Sequence, residues 1–310
     1  MSVSKKIIPP IIFSIPGYEH IQQDLVSLLD GERGTVERMQ FPDGERYQRL
    51  VESVEERDVI LVGGTISDAA TLSLYDLASA ITKYGARRLR MVVPYFGYST
   101  MERAIKPGEI VTAKARARLL SAIPPASNGN SILLLDLHSE GIPHYFEGGL
   151  TAHHVYAKSA LTPIIAKQGN ENFVLASTDA GRAKWVESLA NDLGVDAAFI
   201  LKRRISGSET LVTAKNADVD GRTVIIYDDM IRSGGSLISA AKTYAESGAK
   251  SLIAVCTHGV FTPGAYTRLV ESGLFQSIIA TDSHPNALSY EKGGLMLVPT
   301  AALFVPHLAR

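Results

Sequence analysis

The chain has one cysteine, Cys256, in 310 residues, which excludes an intrachain disulfide and fits a reducing compartment. Its neighbours, SLIAVCT, are apolar, so the thiol reads as core rather than as a nucleophile. Neither sign of charge is in excess. A net charge of −1 argues against a dedicated nucleic-acid binder, though it leaves room for a local basic pocket. No apolar run is long enough to span a bilayer. The first residues, MSVSKKIIPPIIF, make a poor signal peptide, because Pro9 and Pro10 break the short apolar patch. These features predict a cytoplasmic protein with no membrane or nucleic-acid partner. There is no low-complexity segment and no convincing sequence repeat. There is also no Walker A sequence and no G-x-G-x-x-G fingerprint, so a bound nucleoside triphosphate would need another architecture.

Apolar residues make up 45% of the chain and charged residues 20%, enough for a sizeable core. The length allows two domains. Apolar runs alternate with helical patterns almost throughout, which predicts α/β layers. Strands are expected at 11–14, 34–39, 58–62, 89–94, 131–137, 173–177, 197–201, 209–214, 223–227, 251–256, 277–281 and 295–298. Helices are expected at 20–29, 67–84, 111–122, 157–168, 180–193 and 237–248, with a short one at the end. The least periodic linker, 148–151, predicts a domain boundary there.

The most informative stretch is TVIIYDDMIRSGGS, Thr223 to Ser236. A buried strand leads into Asp228 and Asp229, and Arg232, Ser233, Gly234, Gly235 and Ser236 then open a helix. Free N–H groups at a helix start, with the dipole behind them, favour a phosphate. Glycine lets the backbone approach it closely. Two carboxylates beside such a cradle suit sugar hydroxyls, which can donate to them. The stretch therefore points to a phosphorylated sugar.

Four other stretches carry chemistry. FILKRRISGSETL places Lys202, Arg203 and Arg204 just after a strand, on a glycine-containing loop that suits either a mobile lid neutralising phosphate charge or a solvated basic turn. LLLDLH places Asp136 and His138 at a strand end, spaced to share one face and able to hold a metal or its water shell. STDAGR puts Asp179 at a helix N-cap position, where it caps the helix or helps hold a metal–pyrophosphate complex. FPDGE, from Phe41 to Glu45, reads first as a turn.

Together with VVPYFGYSTMER, CTHGVF and ATDS, these stretches resemble phosphoribosyl pyrophosphate (PRPP) synthetase, or ribose-phosphate pyrophosphokinase, over nearly the whole chain. The resemblance implies two type I phosphoribosyltransferase-like α/β domains, each with a mostly parallel central sheet flanked by helices. The first would span residues 1–150 with 297–310 returning to it, and the second residues 151–296. It implies transfer of the β,γ-diphosphoryl group of ATP to the C1 hydroxyl of ribose 5-phosphate with Mg²⁺. In that case Asp228, Asp229 and Arg232 to Ser236 bind ribose 5-phosphate, and Lys202 and Arg204 are catalytic. Phe41, Asp43, Glu45, Arg103 and His138 bind ATP, while His138 and Asp179 serve the metal. Phe41, Asp43 and Glu45 would reach a nucleotide on a neighbouring subunit, implying a homo-oligomer.

The chain departs from common bacterial members at Thr100, where a nucleotide-contacting arginine is expected, at Glu147 and Thr151, and at Arg232. STMERAIKPGEIVTAKARARLLSAIP, DDMIRSGGS and THGVF are similar to the plant-type class II enzymes. That likeness implies independence from phosphate activation, insensitivity to ADP and tolerance of several nucleotide donors. Two other readings stand beside this one: a PRPP-consuming phosphoribosyltransferase, and a catalytically silent regulatory homologue. The LKRR stretch and the length count against the former, and the presence of Lys202, Arg204, Asp228 and Asp229 counts against the latter.

Overall fold

The computed structural model describes residues 8–170, 172–204, 210–214 and 218–308, with residues 180, 201–204 and 210–214 described by their backbone alone. The chain divides into two compact units, one built from the residues up to Tyr156 together with those from Thr300, the other from Ala157–Pro299.

The first unit runs β1 (Ile11–Ser14), α1 (Glu19–Leu28), β2 (Glu32–Arg33), β3 (Val36–Gln40), β4 (Arg46–Leu50), β5 (Asp58–Val62), α2 (Asp68–Lys83), β6 (Arg88–Val93), α3 (Thr112–Ser121), β7 (Asn130–Leu135) and β8 (Leu150–Val155). The second runs α4 (Lys158–Gly169), β9 (Phe173–Ser177), α5 (Ala183–Leu193), β10 (Asp196–Ala198), β11 (Ile200–Arg204), β12 (Thr210–Ala214), β13 (Thr223–Ile231), α6 (Gly235–Glu246), β14 (Ser251–Gly259), α7 (Ala265–Glu271), β15 (Ser277–Thr281), α8 (Pro285–Leu288) and β16 (Met296–Val298). The last helix, α9 (Ala301–Leu308), belongs to the first unit.

Among the described residues each unit holds a six-stranded sheet, ordered β2-β1-β5-β6-β7-β8 in the first and β10-β9-β13-β14-β15-β16 in the second. Every pairing in both is parallel. The two orders follow the same plan, and each unit inserts one antiparallel hairpin between the second and third strands of its sheet: β3–β4 and β11–β12. The repeat that the residues do not display is therefore present as topology.

The sheets form where the sequence offers continuous apolar runs. Val224, Ile225 and Ile226 of β13 are fully buried, as a central parallel strand covered on both faces requires. Helix α6 lays Leu237, Ala240, Ala241 and Tyr244 against the core at the 3-and-4 spacing of one helical face. The Tyr244 hydroxyl donates to the Ser177 carbonyl at 3.2 Å, tying α6 to the end of β9. Helix α2 starts at Ser67, whose side chain accepts from the Ala70 N–H at 3.1 Å.

Four details differ from the sequence pattern. Strand β13 continues through the acidic pair to Ile231 and stays paired with β14, with Met230 opposite His258 and Ile231 opposite Gly259. Residues 150–155 form β8, in register with β7, so the first unit ends after β8 rather than in the 148–151 stretch. Helix α5 begins at Ala183, because Ala180–Arg182 form a 3-10 turn. Asp136 has φ +36°, which ends the extended alternation at Leu135 and removes the argument that placed Asp136 and His138 on one face.

Candidate active site

In the second unit the sheet order reverses between β9 and β13, and loops leave their carboxyl ends on either side of that point. Open α/β sheets place ligand crevices at such a switch point. Thr178 follows β9, and Asp228 and Asp229 lie near the end of β13. The Thr178 hydroxyl donates to Asp228 Oδ2 at 3.0 Å, and the Asp229 N–H donates to Asp228 Oδ1 at 3.0 Å. Asp229 is 3% exposed, and its Oδ2 lies 2.5 Å from Arg182 Nη2. Burial pushes the Asp228 carboxyl up to about 7, helped by the charge of Asp229 and a hydrogen bond to it, against the Thr178 hydroxyl and Arg182. The arrangement is asymmetric: Asp229 is held by a cation, while Asp228 keeps its proton towards neutrality. A sugar hydroxyl donating to Asp228 would favour its ionised form.

The loop after β13 brings Arg232, Ser233, Gly234, Gly235 and Ser236 to the start of α6. Gly234 has φ +79°, and a Cβ there would also lie 3.1 Å from the Leu269 side chain, so the turn requires glycine. The N-cap residue of α6 is Gly234, which has no side chain to cap it; the Ser233 hydroxyl accepts the Gly235 N–H only at a long 3.5 Å. The first N–H groups of α6 and its dipole are thus directed at whatever occupies the loop, a ready anion site. The loop is braced from α7 and the segment before it. The Thr262 N–H donates to the Arg232 carbonyl at 3.0 Å, and Arg268 Nη2 donates to the Ser233 carbonyl at 3.2 Å.

Asp179 is exposed, and its Oδ1 accepts the Gly181 N–H at 2.8 Å, within the 3-10 turn; it does not cap α5, whose N-cap residue is Arg182, because that turn comes between Asp179 and the helix. Lys202 and Arg204 fall within β11, opposite Val212 and Thr210 of β12. They thus belong to a hairpin strand rather than to a loop after one. Their side chains, and residues 205–209, lie outside the described residues.

The remaining candidates sit in the first unit. Phe41, Asp43 and Glu45 form the tip of the β3–β4 hairpin. The Phe41 N–H donates to the Glu45 carbonyl at 2.8 Å, Asp43 Oδ1 accepts the Glu45 N–H at 3.0 Å, and Gly44 has φ +93°. FPDGE is thus the turn that its residues predicted. Met39, Phe41 and Tyr47 on this hairpin are exposed. The Arg103 side chain is exposed, with Nε 3.6 Å from Glu102 Oε1. His138 is half-buried, three residues beyond the end of β7. Glu147 pairs with Arg118 at 2.8 Å.

No group of three or more His, Cys, Asp or Glu side chains converges as a metal site among the described residues. Mg²⁺ takes oxygen ligands, keeps several waters and is commonly bound through one or two carboxylates plus substrate phosphates. The exposed carboxylate of Asp179 fits that chemistry. The His138 nitrogen suits softer metals better than Mg²⁺, and fits a contact with phosphate oxygens.

Sequence reasoning left Arg182, Thr178 and Arg268 without roles. Arg182 and Thr178 stand inside STDAGR, beside the aspartate that was singled out. Only the packing of the β9 loop against β13 reveals that they hold the acidic pair. Cys256, fully buried on β14, is the core residue expected; burial first, then Asp228 and Asp229, push its thiol up. No helix among the described residues is long and apolar enough to cross a membrane.

Comparison with known proteins identifies the family. The profile for the N-terminal domain of ribose phosphate pyrophosphokinase matches residues 10–123, and that for the phosphoribosyl synthetase-associated domain matches residues 171–294. A ribose-phosphate pyrophosphokinase of Methanopyrus kandleri is 34% identical over 287 residues, covering 92% of this chain and 94% of that protein. One from Prochlorococcus marinus is 35% identical over 252 residues, covering 80% of this chain and 74% of the relative. The crystal structure of phosphoribosylpyrophosphate synthetase from Mycobacterium smegmatis superposes with a TM-score of 0.85 at 27% identity, covering 97% of this chain and 98% of that one. These relatives are archaeal and bacterial, and they lend no support to the plant-type subclass suggested by the loop residues. With two-unit architecture and near full-length similarity in agreement, the chain belongs to the ribose-phosphate pyrophosphokinase family.

Proposed function

We propose that this chain transfers the β,γ-diphosphoryl group of ATP to the C1 hydroxyl of ribose 5-phosphate. The observation that carries the reading is the pairing, at the β9/β13 switch point, of an uncapped helix start behind Gly234 with a carboxylate pair whose members are held differently. The 5-phosphate sits in the loop Arg232 to Ser236, against the N–H groups of α6. Asp228 and Asp229 accept hydrogen bonds from the ribose hydroxyls, which fixes the face on which C1 is presented.

The C1 oxygen attacks the β-phosphorus in line. Its bond to that phosphorus forms as the bond between the β-phosphorus and the α,β-bridging oxygen breaks. The electron pair leaves with AMP, and the hydroxyl proton passes to solvent. Such a transfer depends on positioning and on charge neutralisation. Lys202 and Arg204 neutralise the charge developing on the diphosphoryl group, a contribution of several kcal/mol, roughly. Asp179 would help hold a Mg²⁺ ion, which would supply polarisation of the phosphoryl oxygens. His138 contacts the nucleotide's phosphates and Arg103 the nucleotide. The exposed hairpin with Phe41, Asp43 and Glu45 reaches a nucleotide on a second copy of the chain, so the working form is a homo-oligomer, in the cytoplasm.

The test is formation of AMP and PRPP from Mg-ATP and ribose 5-phosphate, with and without inorganic phosphate and ADP. Equal amounts of both products are expected. PRPP consumption without AMP would assign the chain to a transferase, and ribose 5-phosphate binding without turnover would make it a silent homologue. Full activity without phosphate would fit the plant-type reading of STMER and DDMIRSGGS, and a phosphate requirement would sink that subclass while leaving the enzyme.

A further inference from the structure

The loop between β6 and α3 runs from Pro94 to Val111 and carries Arg103. It begins on an unusual backbone. Tyr98 has φ +61°, in the left-handed region, where a bulky side chain is rarely found. Strain of this kind persists only where the surroundings hold it, and it gathers at ligand clamps.

The side chain of Tyr98 shows what holds it. Its hydroxyl donates to Asp68 Oδ1 at 2.9 Å. Arg116 Nη2, from α3, donates to the same oxygen at 2.6 Å. One carboxylate oxygen has two lone pairs, enough for both donors. The Arg116 guanidinium also sits over the Tyr98 ring, 5.2 Å from its centroid, within cation–π range. Three residues thus join the start of α2, the entry of the loop and the helix that follows it. Asp68 is not needed as the cap of α2, because Ser67 fills that role. Its side chain is 63% exposed, and exposed ion pairs add little to stability. The contact therefore does little for folding, and its effect falls on the loop it holds.

The following residues build on that start. The Met101 N–H donates to the Tyr98 carbonyl at 2.8 Å, which closes a tight turn. Just before Tyr98, the Gly97 N–H donates to the Thr65 hydroxyl at 2.7 Å, tying the entry to the loop after β5. From the 3-10 turn Ile142–Tyr145, the Tyr145 hydroxyl donates to the Glu102 carbonyl at 2.5 Å. Arg103 comes next, with its side chain 77% exposed. Its backbone is therefore fixed through Tyr98 and Glu102, while its guanidinium faces solvent. Holding a binding group in place beforehand lowers the ordering cost of the ligand's arrival.

We propose that Asp68 and Arg116 are positioning residues for the nucleotide. By holding Tyr98 in its left-handed conformation, they set the backbone that presents Arg103 before ATP arrives. This role rests on the reading of Arg103 as a nucleotide contact, yet the two can fail separately.

Hydrogen exchange of the full chain without nucleotide, followed by mass spectrometry, reads the brace directly. Peptides covering residues 99–103 should exchange about fivefold faster or more in Asp68→Ala than in the parent. Steady-state kinetics read the consequence. Asp68→Ala and Arg116→Met should each raise the KM for ATP about tenfold, with kcat and the KM for ribose 5-phosphate within about twofold and the unfolding midpoint within about 4 °C. Asp68→Asn keeps an oxygen for the Tyr98 hydroxyl and should regain most of the loss. Asp68→Ala combined with Tyr98→Phe should be no worse than Asp68→Ala alone, since both remove one contact. Equal exchange in parent and Asp68→Ala would overturn the proposal. So would an unaltered KM for ATP in Asp68→Ala where Arg103→Ala raises it, or an equal rise in KM for both substrates, which marks general damage. An unchanged KM for ATP in Arg103→Ala would instead fail the reading of Arg103 and overturn the role for the nucleotide with it, while the exchange of residues 99–103 would still decide the brace.

Discussion

Asp228 makes the second unit's stability depend on pH in an unusual direction, and Asp228→Asn exposes it. Burial pushes the carboxyl from an ordinary value of 3.8 to about 7, with the Asp229 charge and hydrogen bond as further causes. A carboxyl raised on folding binds a proton in the native state that the unfolded chain has already lost. Its contribution is therefore fully present below about pH 4 and is lost as pH rises towards and through about 7. One proton retained over about three pH units amounts to at most ~4 kcal/mol. Solvent at the half-buried carboxyl brings the expectation to ~2 kcal/mol. Asp228→Asn keeps the shape and removes the titration. Trp185 is the single tryptophan of the chain and stacks on the Tyr227 ring at 3.6 Å between centroids, so its fluorescence reports the unfolding of this unit next to the acidic pair. Urea titrations followed at Trp185 should show the stability advantage of the parent over Asp228→Asn shrinking by ~2 kcal/mol between about pH 4.5 and about pH 7.5. A difference that stays flat, or grows with pH, would refute the protonated carboxyl.

Three further expectations rest on other contacts. Arg182→Met strands the buried Asp229 beside Asp228 and should destabilise the unit by about 3–5 kcal/mol, whereas Arg182→Met combined with Asp229→Asn should regain most of the loss; a double variant as unstable as the single would deny the ion pair. Gly234→Ala forces a side chain into φ +79° and against Leu269, and should cost about 1–2 kcal/mol and raise the KM for ribose 5-phosphate; unchanged KM would show that the loop does not hold the phosphate. Lys202→Ala should lower kcat by about a hundredfold or more at unchanged unfolding midpoint, and unaltered turnover would remove Lys202 from the reaction.

How much of this was legible depended on where each signal lies. The bounds of β1, β5, β9 and β15 could be read from the residues because their sides are almost wholly apolar, and burial leaves no other use for such runs. Strand β4, RYQRL, escaped because it belongs to a half-exposed hairpin, and β8, LTAHHV, because its alternate residues face the open side of the sheet. The acidic pair looked like the end of β13 because carboxylates rarely sit within a paired strand, yet the ladder to β14 carries them. The loop from Arg232 to Ser236 was the most legible part of the candidate site, since it is made of consecutive residues and of backbone conformation that glycine announces. The hold of Arg182 on Asp229 was not, because it joins two segments that only tertiary packing brings together. Positive φ at Asp136 left no trace in the sequence.

The matching strand orders of the two units also bear on how such a chain could diversify. Each hairpin leaves the sheet at the same point of the plan and pairs only with itself, so changes within it do not shift the register of the six-stranded ladder. An ancestor with one unit and one hairpin, doubled, would start with two interchangeable appendages on two sound scaffolds. Mutation could then specialise one as a cation-bearing arm and the other as an exposed contact arm without endangering either core. The sequences of the halves would drift apart while the wiring persisted, and that is the pattern this chain displays.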